Sequence, residues 1–171
     1  DLPTSYDRFF YGVDWGFYPH PAALLCIGQR DDEYYVLEEY YETRNTTGSL
    51  AEVIAGDEDG ALDGWYDVYG RGPAYCDPSE PANIQEFKNH GINAKKAKND
   101  VEPGIQHVTS LQDRLYVAET CQNLINEFNQ YRYQDGHDDV VKENDHAQDG
   151  LRYALFSDDS ALEGGAVAIE W

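Results

Sequence analysis

The stretch Tyr11–Phe17 reads YGVDWGF, and it decides how the rest of the sequence is interpreted. The segment Phe9–Val13 is short, aromatic and β-branched, a pattern typical of a buried strand. Asp14 ends this segment, and burying a carboxylate is costly unless a helix N-terminus, a basic side chain or a metal ion compensates its charge. Two interpretations of Asp14 stay open here: a turn cap ahead of Gly16, or a member of a functional site.

A second short apolar segment also ends on a carboxylate. Pro73–Asp77 reads PAYCD and is followed by a proline-containing turn, which predicts another strand with Asp77 at its end. If this strand lies parallel to the first, Asp14 and Asp77 meet at the edge of the sheet where ligands of open α/β sheets gather.

A helix near the end of the sequence contributes further candidate ligands. It is predicted to begin at Asn144 or Asp145 and to run through Phe156. Residues three or four apart share a helix face, so His146 and Asp149 can point at the same place, as can Asp145 and Asp149. Each also has a structural interpretation, because Asp145 suits an N-cap and 33 acidic residues make some chance convergence expected.

Three converging carboxylates need a compensating charge. Without paired arginines Asp14, Asp77 and Asp149 would not all stay ionised, and Mg²⁺ and Mn²⁺ are hard cations that take carboxylate and water oxygens. Two such ions about 3.5–4 Å apart can activate a water and stabilise the leaving oxygen of a phosphodiester. The residues by themselves leave metal-dependent phosphodiester chemistry as one hypothesis beside coincidence.

The order of the predicted elements indicates a mixed sheet covered by helices. Three strands joined by short turns predict an antiparallel meander, and helices and strands alternate after it, which makes an α/β or α+β layered fold. A polar segment over residues 134–139 is predicted to be a loop. The predicted strands are Phe9–Val13, Ala22–Gly28, Tyr34–Tyr41, Pro73–Asp77, Ile92–Lys95 and Leu115–Ala118, and the helices before the last are 50–68 with a break, 82–90, 102–115 and 120–131.

The composition limits the classes of protein that remain. The chain has 171 residues, enough for one domain, and a formal net charge of −21 from 12 basic and 33 acidic residues. Because 41% of the residues are hydrophobic and 13% aromatic, we expect a folded protein rather than a disordered one. Acidity of this kind indicates a high-salt cytoplasm, where a Debye length of about 3 Å at 1 M salt screens surface carboxylates from one another.

Membrane and secretion signals are absent from the sequence. It has no apolar run of the length that a transmembrane helix needs and no signal peptide at its start, which lacks methionine, so we expect a fragment of a longer protein. Cys26, Cys76 and Cys121 lie in apolar segments and are predicted to be buried free thiols in a reducing compartment.

Three segments resemble motifs of one family, the C-terminal nuclease domain of the viral large terminase subunit. Gly12–Gly16 is similar to its first acidic motif, Tyr75–Pro81 to its second, and Asn144–Ala154, which reads NDHAQDGLRYA, to its third. The resemblance covers nearly the whole chain and implies a ribonuclease-H-like α/β fold, with three antiparallel strands and then parallel strands flanked by helices. Gly150 departs from the motif, which usually has alanine there.

The resemblance implies an enzyme, a Mg²⁺- or Mn²⁺-dependent endodeoxyribonuclease that cuts double-stranded viral DNA during genome packaging. Asp14, Asp77 and Asp149 would ligate two metal ions, and His146 would be an auxiliary catalytic residue that orients water or assists proton transfer. The implied nuclease domain spans residues 1–156, with a C-terminal tail over residues 157–171.

The implied partners are double-stranded DNA, the upstream terminase ATPase domain, the portal and the small terminase subunit, with no membrane. Because the sequence has no Walker A loop, we expect the nuclease domain alone, acting in the host cytoplasm at the procapsid portal. The acidic composition indicates a halophilic archaeal virus as its source.

DNA contact is predicted at Lys95, Lys96 and Lys98, three of the five lysines in the chain, and a solvated lysine cluster is the alternative. Because phosphate binding depends on counterion release, so acidic a domain is expected to bind DNA poorly by itself. Two further functions stay open: a non-catalytic docking module of the packaging motor, and a related ribonuclease-H-like resolvase or transposase.

Overall fold

The computed structural model describes residues 1–134 and 145–167, with side-chain surroundings for residues 1–130 and 145–159. Its strands are β1 (Arg8–Asp14), β2 (Ala22–Arg30), β3 (Glu33–Glu42), β4 (Pro73–Cys76), β5 (Asn93–Lys96) and β6 (Leu115–Val117). Its helices are α1 (Thr47–Ala55), α2 (Trp65–Val68), α3 (Pro81–Asn89), α4 (Val101–Ser110), α5 (Gln122–Gln134) and α6 (His146–Val167). A 3₁₀ turn, Gln112–Arg114, precedes β6.

The six strands form one mixed sheet in the order β5-β4-β1-β2-β3-β6. β1, β2 and β3 are antiparallel neighbours, whereas β4 pairs parallel with β1, β5 parallel with β4 and β6 parallel with β3. The prediction of a mixed α/β sheet that begins with three antiparallel strands is confirmed. Because β1, β4 and β5 run in the same direction, their carboxyl ends lie at one edge of the sheet.

The central strand β1 is buried on both faces. Tyr11 and Val13 pack into a core covered by α1, α2 and α3, while Phe10 packs into a second core covered by α4, α5 and α6. This alternation is the period of two that a strand imposes on its side chains. Asp14 has the parity of Phe10, so it faces the side of the sheet on which α6 lies.

α6 crosses β1 at a pair of glycines. A Cβ atom on Gly12 would lie 2.0 Å from the carbonyl oxygen of Gly150, so only glycine allows the helix to approach the strand this closely. A Cβ atom on Gly150 would meet its nearest neighbour, the carbonyl oxygen of Ala23, at 3.7 Å, an ordinary contact. The departure from the family motif at Gly150 is therefore not required by packing.

α6 is longer than the sequence predicts. The expected helix end at Phe156 is wrong, because the helix continues to Val167. Ser157 and Asp158 are buried, so the first residues of the predicted tail pack on the sheet as helix. Asp158 accepts two hydrogen bonds of 2.6 Å from the Arg8 guanidinium and one of 2.9 Å from the Tyr75 hydroxyl.

Other predictions concern the middle of the chain and the cysteines. Residues 135–144, which contain most of the predicted polar loop and Asn144, lie outside the described residues. The three cysteines are buried free thiols, as predicted. Among the helices that the structure describes, none is long and apolar enough to cross a membrane.

Candidate active site

Asp14 and Asp77 end neighbouring strands and lie side by side. The backbone N–H of Asp77 donates to the carbonyl oxygen of Val13 at 2.9 Å, which extends the parallel β1–β4 pairing to the last residue before Asp14. Asp14 is 6% exposed, and its Oδ1 accepts a hydrogen bond from the backbone N–H of Gly16 at 3.1 Å. Asp77 Oδ1 accepts from the backbone N–H of Ser79 at 2.9 Å. Each carboxylate thus caps the turn that follows its strand.

The first turn of α6 brings His146 to Asp14. His146 Nδ1 lies 3.5 Å from Asp14 Oδ2, and this carboxylate raises the pKa of the histidine above its ordinary value. The ring of His20, from the β1–β2 turn, lies 5.1 Å from the ring of His146. His146 therefore stands between the end of β1 and an exposed turn.

Asp149 lies one helical turn after His146 and is electrostatically strained. Burial, together with the charges of Asp145 and Asp14, raises the pKa of Asp149 to about 6. Arg152 opposes this effect through its Nη2, which is 3.5 Å from Asp149 Oδ1. The site therefore has more negative charge than its protein partners neutralise.

The Tyr153 hydroxyl is influenced by all three predicted carboxylates. Burial raises the pKa of its hydroxyl, and the charges of Asp77, Asp149 and Asp14 raise it further, in that order. Because such effects fall off with distance, each of the three carboxylates lies within electrostatic reach of Tyr153.

Two observations on whether these residues could bind a metal ion point in opposite directions. Their chemistry suits a hard divalent cation, since carboxylate oxygens are its preferred ligands and the raised pKa of Asp149 reveals uncompensated charge. Among the described side chains, however, no group of three or more histidine, cysteine, aspartate or glutamate residues is arranged to hold a metal ion. The ligand roles of Asp14, Asp77 and Asp149 therefore stay predictions.

Glu127 is a residue of this region that sequence reasoning missed. It lies on α5, is 4% exposed, and accepts hydrogen bonds from the backbone N–H groups of Ala147 (3.1 Å) and Gln148 (2.9 Å) at the start of α6. Burial raises its pKa to about 7, although these hydrogen bonds oppose the shift. The available signal was a glutamate three residues after Leu124, inside the apolar stripe of a predicted helix.

The three candidate DNA-binding lysines lie at the same edge of the sheet. Lys96 is in register with Cys76, the residue before Asp77, and the backbone N–H of Ala97 donates to the Cys76 carbonyl at 2.8 Å. All three lysines are exposed, and Lys98 Nζ lies 5.4 Å from the centre of the Phe156 ring. Their position suits phosphate contact, and their role in DNA binding stays a prediction.

Known proteins resemble this chain in sequence and in structure. The large terminase subunit of Escherichia phage T5 is 30% identical over an alignment of 159 positions, which covers 85% of this chain and 34% of that protein. The large terminase of a thermophilic bacteriophage, in complex with ATP-gamma-S, has a TM-score of 0.68 at 25% identity over 92% of this chain and 41% of that one. The nuclease domain of the large terminase g2p from the bacteriophage SPP1, with bound Mn, has a TM-score of 0.68 at 22% identity, over 90% of this chain and 88% of that one.

These similarities confirm the predicted resemblance to large terminase subunits and to the mixed α/β, ribonuclease-H-like fold of their nuclease domains. No protein-family profile matches the chain. The chain spans about a third of the length of the T5 protein, at 34%. The three relatives named above are bacteriophage proteins, so the archaeal source stays a prediction.

Proposed function

We propose that this homologue of the large terminase subunit is a metal-dependent endonuclease that cuts double-stranded viral DNA during genome packaging. The observation that carries the proposal is the placement of Asp14 and Asp77 at the ends of adjacent parallel strands, with His146 Nδ1, on the helix that carries Asp149, 3.5 Å from Asp14 Oδ2. The Mn bound to the SPP1 nuclease domain supports the use of a divalent cation.

Asp14, Asp77 and Asp149 are the residues that would hold Mg²⁺ or Mn²⁺. Two such cations, when bound, supply the positive charge that activates a water and stabilises the leaving oxygen of a phosphodiester. The carboxylates themselves orient the attacking water by accepting its hydrogen bonds, and Arg152 favours the ionised form of Asp149 from the protein side.

His146 is proposed to orient the attacking water or to accept its proton. Its Nδ1 faces Asp14 Oδ2, which fixes the ring and leaves Nε2 as the atom that can orient water or take up its proton. The Asp14 carboxylate, which raises the pKa of His146, stabilises the imidazolium that such a transfer creates.

DNA is proposed to reach this edge along the strand that carries Lys95 and Lys96 and the turn that carries Lys98. Their ammonium groups would contact phosphates and set the position of the duplex without reading its sequence. The net charge of −21 opposes binding, so the upstream ATPase domain, the portal and the small subunit are proposed to hold the DNA. The proposed place of action is the host cytoplasm, and a halophilic archaeal virus is the proposed source.

One observation favours a second candidate function. Within the described part of the chain the acidic side chains are not gathered into a metal-binding group. A non-catalytic docking module of the packaging motor, with its acidic residues serving solubility, would have this arrangement.

The two functions are separated by incubating the chain with supercoiled plasmid and Mn²⁺ or Mg²⁺, at low and at multimolar salt. We expect the unsubstituted protein to cut, Asp77→Ala to lose cutting, and Asp59→Ala, which changes an exposed turn aspartate, to retain it. No cutting by any protein under all conditions would favour the docking module. Equal cutting by Asp77→Ala would refute the assigned site.

The number of ions is tested separately. Asp149→Asn removes one proposed ligand, so calorimetric titration with Mn²⁺ should give fewer bound ions than the unsubstituted chain. An unchanged stoichiometry would count against the role of Asp149.

A further inference from the structure

The first turn of α6 is capped by a side chain from another helix. The backbone N–H groups of Ala147 and Gln148, the second and third residues of α6, have no acceptor within the helix and donate instead to the two carboxylate oxygens of Glu127. Asp145, which precedes the helix, contributes its backbone carbonyl, which accepts from the N–H of Asp149 at 2.8 Å. The side-chain cap predicted for Asp145 is thus provided by Glu127.

This turn also carries two of the proposed site residues. His146 is the first residue of α6 and Asp149 the fourth. The contact of His146 with Asp14 and that of Arg152 with Asp149 both measure 3.5 Å, the outer limit of a hydrogen bond. A displacement of the turn by a few tenths of an ångström would therefore decide whether these contacts persist.

Glu127 lies close to the sheet. Burial and the nearby charge of Glu127 raise the pKa of the Tyr41 hydroxyl on β3, and Glu39 lies two residues earlier on the same face of β3. Glu39 accepts hydrogen bonds from the backbone N–H groups of Asn123 (2.7 Å) and Leu124 (3.0 Å) in the first turn of α5. Two carboxylates thus each cap one helix: Glu39 caps α5, and Glu127 caps α6.

We propose that Glu127 is a positioning residue of the nuclease, which holds the first turn of α6 so that His146 and Asp149 face Asp14 and Asp77. This inference rests on the proposed nuclease function and deepens it. Glu127 is buried and acts through the backbone of residues 147 and 148 rather than through contact with DNA. Residues that orient functional side chains in this way typically account for about 10–100-fold in activity or metal affinity.

The test compares the two capping glutamates. Glu127→Gln keeps the size of the side chain and one acceptor, but it turns an NH₂ group towards the second backbone N–H. Glu39→Gln makes the same change at α5, which carries neither His146 nor Asp149. We expect Glu127→Gln to lower kcat for plasmid cutting by about 10–100-fold with KM for DNA unchanged, and to weaken Mn²⁺ binding, measured by electron paramagnetic resonance. Amide hydrogen exchange should become faster at residues 147 and 148.

Glu39→Gln is expected to lower the urea midpoint while keeping the kcat of the unsubstituted chain. Equal losses of kcat in the two variants would overturn the inference, as would unchanged kcat and Mn²⁺ affinity in folded Glu127→Gln. If Glu127→Gln does not fold, Glu127→Asp keeps both acceptors on a shorter side chain and should show an intermediate loss. If the unsubstituted chain binds Mn²⁺ but cuts no DNA, the nuclease proposal fails, and Mn²⁺ affinity with amide exchange still decides the role of Glu127.

Discussion

The two faces of the sheet are held by different kinds of contact. On the face covered by α1, α2 and α3, the core is aliphatic and aromatic, with Ile54 and Phe87 fully buried. On the face covered by α6 lie all the buried polar residues within the described part of the chain. They are Asp14, Glu127, Arg152, Ser157 and Asp158.

This difference suggests that one face mainly stabilises the domain and the other mainly positions α6. Apolar burial is non-directional, so the first face can stabilise the domain without fixing any side chain to a fraction of an ångström. Hydrogen bonds and ion pairs are directional, and on the second face they fix α6, which carries His146 and Asp149, against β1, β4 and α5. Substitutions on the two faces should therefore affect stability and cutting to different degrees.

The largest effect on stability is expected from the apolar face. Ile54→Ala opens a cavity beneath α1 and should lower the free energy of unfolding by about 2–5 kcal/mol, measured by urea denaturation. The kcat of the folded fraction should stay unchanged, because Ile54 lies on the opposite face from α6. Ile54→Val serves as the milder control, at about 0.5–1.5 kcal/mol. A loss of kcat beyond the loss of folded protein would break the proposed separation.

A smaller loss of stability, now joined to a loss of activity, is expected at the polar face. Asp158→Ala leaves the Arg8 guanidinium and the Tyr75 hydroxyl without their shared acceptor, and should cost about 3 kcal/mol. Because Asp158 ties α6 to β1 and β4, kcat of the folded protein should also fall, by about tenfold. Asp158→Asn keeps one acceptor, so its stability and its kcat should lie between those of the unsubstituted chain and those of Asp158→Ala. Unchanged kcat in folded Asp158→Ala would contradict the placement role.

The pH dependence of stability should reveal Glu127. Burial raises the pKa of Glu127 to about 7 in the folded chain, whereas its pKa in the unfolded chain is about 4.3. Between these two pH values the folded state binds more protons than the unfolded state. This contribution to stability is present at low pH and is lost as the pH rises towards 7. The stability advantage over Glu127→Gln should thus shrink by up to about 3 kcal/mol between pH 5 and 8, measured by urea denaturation. A constant difference across this range would show that the carboxyl titrates normally.

The smallest effect is expected at Gly150, which faces Gly12 where α6 crosses β1. Gly150→Ala should raise the free energy of unfolding by about 0.5–1 kcal/mol, because alanine favours the helix and its Cβ has ordinary contacts. Gly12→Ala is the contrasting change, since its Cβ would overlap the Gly150 carbonyl and force α6 away from β1. Destabilisation by Gly150→Ala would show that α6 approaches the sheet more closely than described.

The sequence predicts features that depend on a few neighbouring residues, such as where a strand ends. Asp14 and Asp77 were foreseen at strand ends, because a short apolar run that ends on a carboxylate is visible in a few residues. Their neighbourhood follows from one parallel pairing, which the sequence could only suggest. Whether Asp149 completes a metal site depends on tenths of an ångström that no pattern of residues specifies.

Long-range contacts account for what was missed. The helix was predicted to end at Phe156, yet Arg8 and Tyr75 donate hydrogen bonds to Asp158 and Tyr34 donates one to Asp159, and the helix continues through both residues. Glu127 was overlooked for the same reason, because the amides that it caps lie some twenty residues further along the chain.

The outer strand β5 has a consequence for self-association. Among the described residues, no strand pairs with the outer edge of β5, an edge that another chain could extend. The strand is only four residues long and exposes Lys95 and Lys96, two features that natural proteins use against edge-to-edge aggregation. The same lysines are the candidates for phosphate contact. If these lysines contact phosphate, alanine substitutions would weaken DNA binding and also remove the charges that oppose association at this edge. Lys95→Glu and Lys96→Glu would abolish phosphate contact but keep the edge charged, which opposes association.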